Sequence, residues 1–119
     1  QMPPPKMIYL ASPYSDDNPA VMEERAQETT EFVARMTALG HLIYSPITYY
    51  HTIAQVMSLP TDAEFWWGFN RDMLNRCHEM YVLEIDGWSA SVGVDKEIEY
   101  CKLIGKTYHF IQTDGVMVP

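Results

Sequence analysis

The chain has 119 residues, of which 47% are hydrophobic, and its formal net charge is −8. This length fits one domain, and this hydrophobic fraction supplies a core, which argues against disorder. The acidic balance argues against binding to a nucleic-acid polymer, which needs a basic surface, although a single nucleotide needs only a few local donors.

The sequence also predicts the cellular compartment of the protein and whether it binds a membrane or a metal. No apolar run approaches the roughly 18–20 residues of a membrane span, and we expect no signal peptide. Cys77 and Cys101 show no redox spacing, and reduced thiols in a cytosolic protein are the simplest interpretation. The scattered histidines and cysteines predict no metal site. We therefore expect a cytoplasmic protein without cofactor or membrane partner.

The first half of the chain alternates between apolar runs and a periodic segment. An uncharged apolar run suits a strand covered on both faces, and Asn before Pro suits the start of an amphipathic helix. The predicted elements are a strand at 7–12, a helix from the Asn18 cap to Gly40, a strand at 41–46, and an apolar, partly helical connection at 47–60.

The second half repeats this alternation. Thr61 and Glu64 have the spacing of a capping box, and glycine is typical just after a helix end. The predicted elements are a helix at 62–78, a strand at 80–85, a helix from Ser91 to Gly105, and a strand at 106–112.

This order predicts an α/β fold with three layers, Rossmann-like or flavodoxin-like. Strands that alternate with helices form a parallel sheet, here of about four to five strands, with helices on both faces. The domain is expected to span residues 7–112. Residues 1–6 and 113–119 are expected to be tails, the second too short to form an element.

The stretch from Val82 to Glu97 predicts a strand end, a tight loop and a helix start. Open α/β sheets bind ligands at such places, where the free N–H groups of the helix attract anions. Gly93 lies one turn before Glu97, so a ligand could approach backbone and carboxylate, and Ser91 could hold a phosphate. On spacing alone the structural interpretation is favoured, in which Ser91 only caps the helix and Glu97 is solvated.

The other candidates also have structural explanations. Asp72 on the preceding helix suits a general acid if it is partly buried, but alone it fits an ion pair with Arg71 or Arg76. Tyr9 fits a core tyrosine, and Trp88, which could stack on a base, fits ordinary packing. The chain has no Walker loop, no Gly-x-Gly-x-x-Gly motif and no nucleophile elbow.

Taken together, these motifs resemble the nucleoside 2-deoxyribosyltransferase superfamily. The similarity runs in order over roughly residues 7–112 and is closest to a small bacterial and phage branch labelled only as a domain of unknown function. The matching motifs are Ile8-Tyr9-Leu10-Ala11-Ser12-Pro13-Tyr14, the helix ending at Gly40, the strand ending in Ser45-Pro46, Asp72, and Ser91-x-Gly93-x-x-x-Glu97.

The resemblance implies chemistry at the N-glycosidic bond. Glu97 matches the family nucleophile, Asp72 the acid that helps to protonate the leaving base, and Tyr9 the tyrosine that positions the nucleophile. Ser91 stands where transferases of free nucleosides have an aspartate, and similar serines occur in the branch that hydrolyses nucleoside 5′-monophosphates. Since aspartate would repel a 5′-phosphate and a neutral hydroxyl at a helix start accepts one, we expect a monophosphate substrate.

The physical chemistry of the reaction agrees with these roles. A carboxylate beneath C1′ stabilises an oxocarbenium-like state, and the leaving base needs a proton from a second acid. Ser12, Gly93 and Trp88 are expected to contact the substrate as well. The family usually has Gly-Pro or a glycine-rich loop after the first strand, whereas this chain has Ser12-Pro13.

Two alternatives remain open at this point. One is a non-catalytic nucleotide-binding or regulatory module on the same fold, because fold does not fix function. The other is a glycohydrolase of the NAD type, which uses similar carboxylate chemistry. The sequence leaves hydrolysis and transfer open as well. Because family members are oligomers, we expect a homo-oligomer, a dimer or larger, with the aromatic region 47–67 as interface or lid.

Overall fold

The computed structural model describes residues 5–119, so most of the predicted tail at 1–6 lies outside the described residues. Strands and helices alternate through most of this part of the chain. The elements are β1 (Met7–Ala11), α1 (Pro19–Ala38), β2 (Leu42–Tyr44), α2 (Pro46–Met57), α3 (Ala63–Arg76), β3 (Glu79–Leu83), a 3₁₀ turn (Trp88–Ala90), α4 (Val92–Ile104), β4 (Tyr108–Ile111) and β5 (Met117–Val118).

The strands form one sheet in the order β2-β1-β3-β4-β5. The first four are parallel, which confirms the predicted α/β fold, and β5 pairs antiparallel with β4. The prediction that 113–119 holds no element is therefore wrong. Gly115, at φ 87°, allows the chain to turn back, and its N–H donates to the Gln112 carbonyl at 2.9 Å.

The two faces of the sheet pack against different helices. Side chains alternate along a strand, so β1 sends Tyr9 to one face and Leu10 to the other. Tyr9 belongs to a core cluster with Leu74 of α3 and Val94 of α4, whereas Leu10 packs with Phe32 of α1. The molecule is thus a three-layer sandwich, and α3 and α4 share the layer that Tyr9 faces.

Side-chain caps fix where the helices begin. Asn18 caps α1 as predicted, because its side chain accepts from the Ala20 N–H at 3.0 Å. The capping box from Thr61 is wrong, since Asp62 is the cap and accepts from the Phe65 N–H at 3.0 Å. The connection 47–60 is more regular than predicted, because Ser45 caps a full helix that begins at Pro46.

The topology also places a crevice in the sheet. The chain leaves β1 toward β2 on one side and later returns to β3 on the other, so β1 and β3 border a topological switch point, where α/β sheets bind ligands. Within the described residues no helix has both the length and the apolar character needed to cross a membrane.

Candidate active site

A cavity of about 510 Å³ opens at the carboxyl ends of β1 and β3. Two loops form part of its wall, at residues 12–16 after β1 and around 87–93 after β3. The rest comes from α1, α2, α3 and α4. The cavity therefore occupies the switch point, which is where the sequence predicts a ligand.

Glu97 and Tyr9 form a buried pair at the floor of this cavity. Glu97, on the second turn of α4, is 5% exposed, and Tyr9 is fully buried in the adjacent strand. The Tyr9 hydroxyl donates a hydrogen bond to the Glu97 carboxylate. The structure thus brings together two of the three predicted catalytic residues.

Burial changes the acidity of both groups. Removal from water raises the pKa of Glu97 to about 8, and the Tyr9 hydrogen bond lowers it in part. Burial and the Glu97 charge raise the pKa of Tyr9 well above its usual value. At neutral pH Tyr9 is therefore a fixed donor, and Glu97 is mostly protonated while the cavity is empty.

The start of α4 forms the wall above Glu97. Ser91 caps this helix, and its Oγ accepts from the Val94 N–H at 3.2 Å. Gly93 borders the cavity, where a Cβ would come within 3.6 Å of Ala63, so the missing side chain keeps space beside the backbone. Both residues lie where the sequence predicts them, and the capping role of Ser91 coexists with a place at the cavity.

Three further polar residues complete the floor. Ser12, which the sequence predicts as a contact, is 6% exposed and lines the cavity. Tyr50 of α2 and Asn70 of α3 also line it, at 3% and 8% exposure. Tyr50 lines the same floor as Asn70 and Glu97, and burial together with the Glu97 charge raises its pKa.

Two cations border the cavity, Arg25 on α1 and Lys96 on α4. The Arg25 Nη1 atom donates to the carbonyls of Tyr14 and Ser15, at 3.3 and 3.0 Å. Its guanidinium group lies against Gly87, where an added Cβ would require the arginine side chain to shift. Arg25 therefore connects the loop after β1 to the loop after β3.

The mouth of the cavity carries three carboxylates, Asp16, Asp62 and Glu64. Asp16 accepts from the Asn18 N–H at 2.8 Å, and Asp62 caps α3. Within the part of the chain that the structure describes, Glu64 has neither a hydrogen bond nor an ion pair. Glu64 is thus the mouth carboxylate that is available to a ligand.

Two predicted site residues lie elsewhere. The Asp72 side chain is 62% exposed and lies 3.8 Å from Arg71 Nε, outside the cavity, so its predicted place beside Glu97 is wrong. The reason is the rotation of α3, which turns Trp66, Asn70 and Leu74 inward. Trp88 also lies outside the cavity lining and packs against Phe110 at a centroid distance of 5.3 Å, so the structure does not bring it together with the other predicted site residues.

Four residues that line the cavity were not predicted from the sequence: Arg25, Tyr50, Glu64 and Asn70. Arg25 had a usable signal, because it follows Met22 by three residues and so borders the apolar stripe of α1. Tyr50 also had one, since the apolar connection was expected to cover something. Asn70 had none, because a lone asparagine among aromatic residues does not indicate which way a helix is turned.

Comparison with known proteins identifies the family. The chain belongs to the family described as "Domain of unknown function (DUF1937)", which matches residues 6–112. No curated protein matches the chain. Among the described residues, His, Cys, Asp and Glu side chains form no group of three or more that could hold a metal ion.

Proposed function

We propose that this protein breaks the N-glycosidic bond of a nucleoside or deoxynucleoside 5′-monophosphate, with Glu97 as the nucleophile. The observation that carries the proposal is the buried Glu97–Tyr9 pair at the floor of a switch-point cavity. The space above it, about 510 Å³, lies within the usual range of small-molecule sites.

In this reaction the ionised Glu97 attacks C1′ of the sugar. A bond forms between its oxygen and C1′, and the bond between C1′ and the base nitrogen breaks, with the electron pair leaving on the base. In hydrolysis, water attacks C1′ and gives its proton to the acid that protonated the leaving base, while the bond between C1′ and Glu97 breaks and its electron pair returns to the carboxylate. In transfer, a second base attacks C1′ and gives up its N–H proton in the same way. In either step the Tyr9 hydrogen bond stabilises the carboxylate as it leaves.

The leaving base needs a proton, and in this proposal Glu64 supplies it instead of Asp72. The base departs from the sugar face opposite the nucleophile, toward the mouth. Glu64 lines that mouth and has a free carboxyl group, whereas Asp16 and Asp62 already accept hydrogen bonds from the backbone.

The 5′-phosphate is proposed to bind between the start of α4 and Arg25. A helix start offers backbone N–H groups to an anion, and Ser91 adds a hydroxyl without negative charge. Arg25 borders the same cavity, its side chain is only 18% exposed, and its Nη2 lies 4.0 Å from Asp16 Oδ2, so a phosphate would share the guanidinium group with that carboxylate. These features support a monophosphate over a free nucleoside.

We further propose that the protein is a homo-oligomer in the cytoplasm. Phe65 and Phe69 of α3 are 51% and 39% exposed, both rings lie against Trp66, and the ring of Tyr49 of α2 stacks on Phe69 at 5.5 Å. Such a contiguous apolar surface is typical of interfaces. Cys77 and Cys101 are buried free thiols, which suits a reducing compartment.

The direct test is release of free base from a panel of ribo- and deoxyribonucleoside 5′-monophosphates. We expect release by the wild type and a loss of at least ~10³-fold in Glu97→Gln, which still binds the nucleotide. Glu99→Gln is the matched control, because Glu99 lies on the same helix but is exposed and outside the cavity. Binding without base release by the wild type would support the non-catalytic module, and release of nicotinamide from NAD would support the glycohydrolase.

A pH profile separates two roles for Glu97. A nucleophile must be ionised, so the kcat/KM limb that reports Glu97 should rise with pH toward about 8, the pKa of Glu97. The acid that protonates the leaving base must keep its proton, so that group gives a limb that falls with pH instead. The limb that moves in Tyr9→Phe is the one that reports Glu97, and its direction decides whether Glu97 is the nucleophile or the general acid.

A further inference from the structure

The floor of the cavity contains a buried acceptor without a partner. The Asn70 Oδ1 atom is buried and has no hydrogen bond among the described residues. A buried polar atom without a partner is unfavourable and needs an explanation, and a ligand that donates a hydrogen bond to it supplies one. Asn70 lines the cavity and is 8% exposed, which makes it part of the floor.

Tyr50 is a second buried polar group of the same floor. It is 3% exposed, and its ring stacks on Trp66 at a centroid distance of 4.1 Å, so its hydroxyl is held in place. Burial and the Glu97 charge raise the pKa of this hydroxyl, which therefore stays protonated and can donate to a ligand. The terminal torsion of asparagine is soft, so the Asn70 amide can turn toward a ligand in the cavity.

We infer that Asn70 and Tyr50 bind the sugar hydroxyl on the carbon next to the reacting one, and that the substrates are ribosides rather than 2′-deoxyribosides. This inference rests on the proposed function, because it takes C1′ to lie at Glu97. The 2′-hydroxyl is then the closest polar group of the substrate to that carboxylate. Tyr9 is already engaged with Glu97, and Ser12 Oγ accepts from the Thr29 hydroxyl at 3.4 Å, which leaves Tyr50 and Asn70 as the floor partners.

The depth of the cavity assigns these residues to the sugar rather than the base. Glu97, Tyr50 and Asn70 are all under one-tenth exposed, whereas Glu64 at the mouth is exposed. The base must depart from the side opposite Glu97, toward that mouth. A site built to bind a hydroxyl also rejects the analogue that lacks it, since its own polar atoms then stay unpaired.

The test compares kcat/KM for base release from a riboside 5′-monophosphate and its 2′-deoxy analogue with the same base. We expect the wild type to prefer the riboside at least ~10-fold. Asn70→Ala should lower riboside turnover ~10–100-fold and leave the deoxyriboside within about twofold, and Tyr50→Phe, which keeps the ring, should act in the same direction. Since the readout is a ratio, partial misfolding would not imitate it.

Asn75→Ala is the matched control, because Asn75 lies on the same helix, is exposed, and accepts a hydrogen bond from the Tyr100 hydroxyl at 2.9 Å, away from the cavity. It should leave the ratio unchanged. A wild type that prefers the deoxyriboside, or an equal loss on both substrates in Asn70→Ala, would overturn the inference and leave the proposed function standing. A 3′-deoxy substrate that loses the Asn70 effect while the 2′-deoxy substrate keeps it would overturn it as well.

A binding experiment tests Asn70 without catalysis. If no nucleotide releases its base, the proposed function fails, and thermal shifts with ribose 5-phosphate and 2-deoxyribose 5-phosphate then decide. A larger shift with ribose 5-phosphate that Asn70→Ala removes would support the hydroxyl site. Equal shifts, or none with either compound, would overturn it.

Discussion

Helices α3 and α4 pack side by side on the same face of the sheet, yet they contribute to the cavity in different ways. α4 places Glu97 at the floor with 5% exposure. α3 leaves the side chain of Asp72 62% exposed, and its contribution to the floor is the neutral Asn70. The comparison shows that the face of the helix on which an acidic residue lies decides whether it can take part in chemistry.

The two helices differ in what determines their rotation. α4 is turned by Val94 and Cys101, which are small, apolar and fully buried against the sheet, so Glu97 must lie between them on the inner side. α3 carries aromatic residues on two sides, and Phe65 and Phe69 remain exposed beside α2. An aromatic stripe is therefore a poorer guide to the buried face than a stripe of small aliphatic residues.

The largest effect expected from a change that spares the nucleophile is at Tyr9. Tyr9→Phe removes the hydrogen bond that lowers the Glu97 pKa, so that pKa should rise and the kcat/KM limb should move to higher pH. At pH 7 we expect a loss of about 10–100-fold, which shrinks as the pH is raised. The pH profile of base release measures this, and a uniform loss at all pH values would contradict it.

The next effect concerns the start of α4. Ser91→Asp keeps an oxygen that can cap the helix but adds a negative charge, so it should lower kcat/KM for a monophosphate about 10-fold relative to the free nucleoside. Ser91→Asn, which also caps but is neutral, is the control. If Ser91→Asp leaves the ratio of the kcat/KM values for the two substrates unchanged, the phosphate does not bind at this part of the cavity.

Much of the fold could be predicted because local chemistry determines it. Apolar runs of five or six residues identified the parallel strands, and Asn18 and Ser91 marked helix starts through the cap each provides. β5 could not be predicted, because two residues carry no period and the strand exists only through its pairing with β4. The pairing with β4, and not a pattern in the sequence, determines that this strand forms.

The site residues also fall into two groups, those that local spacing in the sequence predicts and those that depend on tertiary packing. Glu97, Ser91 and Gly93 lie on one helix, so their mutual positions follow from helical spacing, and Tyr9 follows from the strand that precedes the cavity. Arg25, Tyr50 and Asn70 reach the cavity from three other helices. No spacing in the sequence relates those helices to one another, so these contacts depend on packing that only the three-dimensional structure contains.

A smaller effect is expected on stability, and it distinguishes the buried face of α4 from its exposed face. Because folding raises the Glu97 pKa from 4.5 to about 8, the folded protein retains a proton that the unfolded chain releases. Wild-type stability should therefore fall relative to Glu97→Gln between about pH 4.5 and 8 and then level off, by at most a few kcal/mol. Thermal melts should show a higher Tm for Glu97→Gln at pH 9 and equal values near pH 4, and Glu99→Gln should follow the wild type throughout.

The smallest effect is expected at Asp72. Its side chain is 62% exposed and its nearest cation, Arg71, is itself 46% exposed, so an ion pair between them contributes roughly 0–1 kcal/mol and no contact reaches the cavity. Asp72→Asn should therefore keep kcat/KM within about twofold and leave the pH profile unchanged. Glu64→Gln, in contrast, should lower kcat, because the leaving base loses its proton donor. Measured side by side, these variants test the assignment directly. A loss of turnover in Asp72→Asn with wild-type activity in Glu64→Gln would mean that α3 rotates, or that a second copy of the chain brings Asp72 to the site.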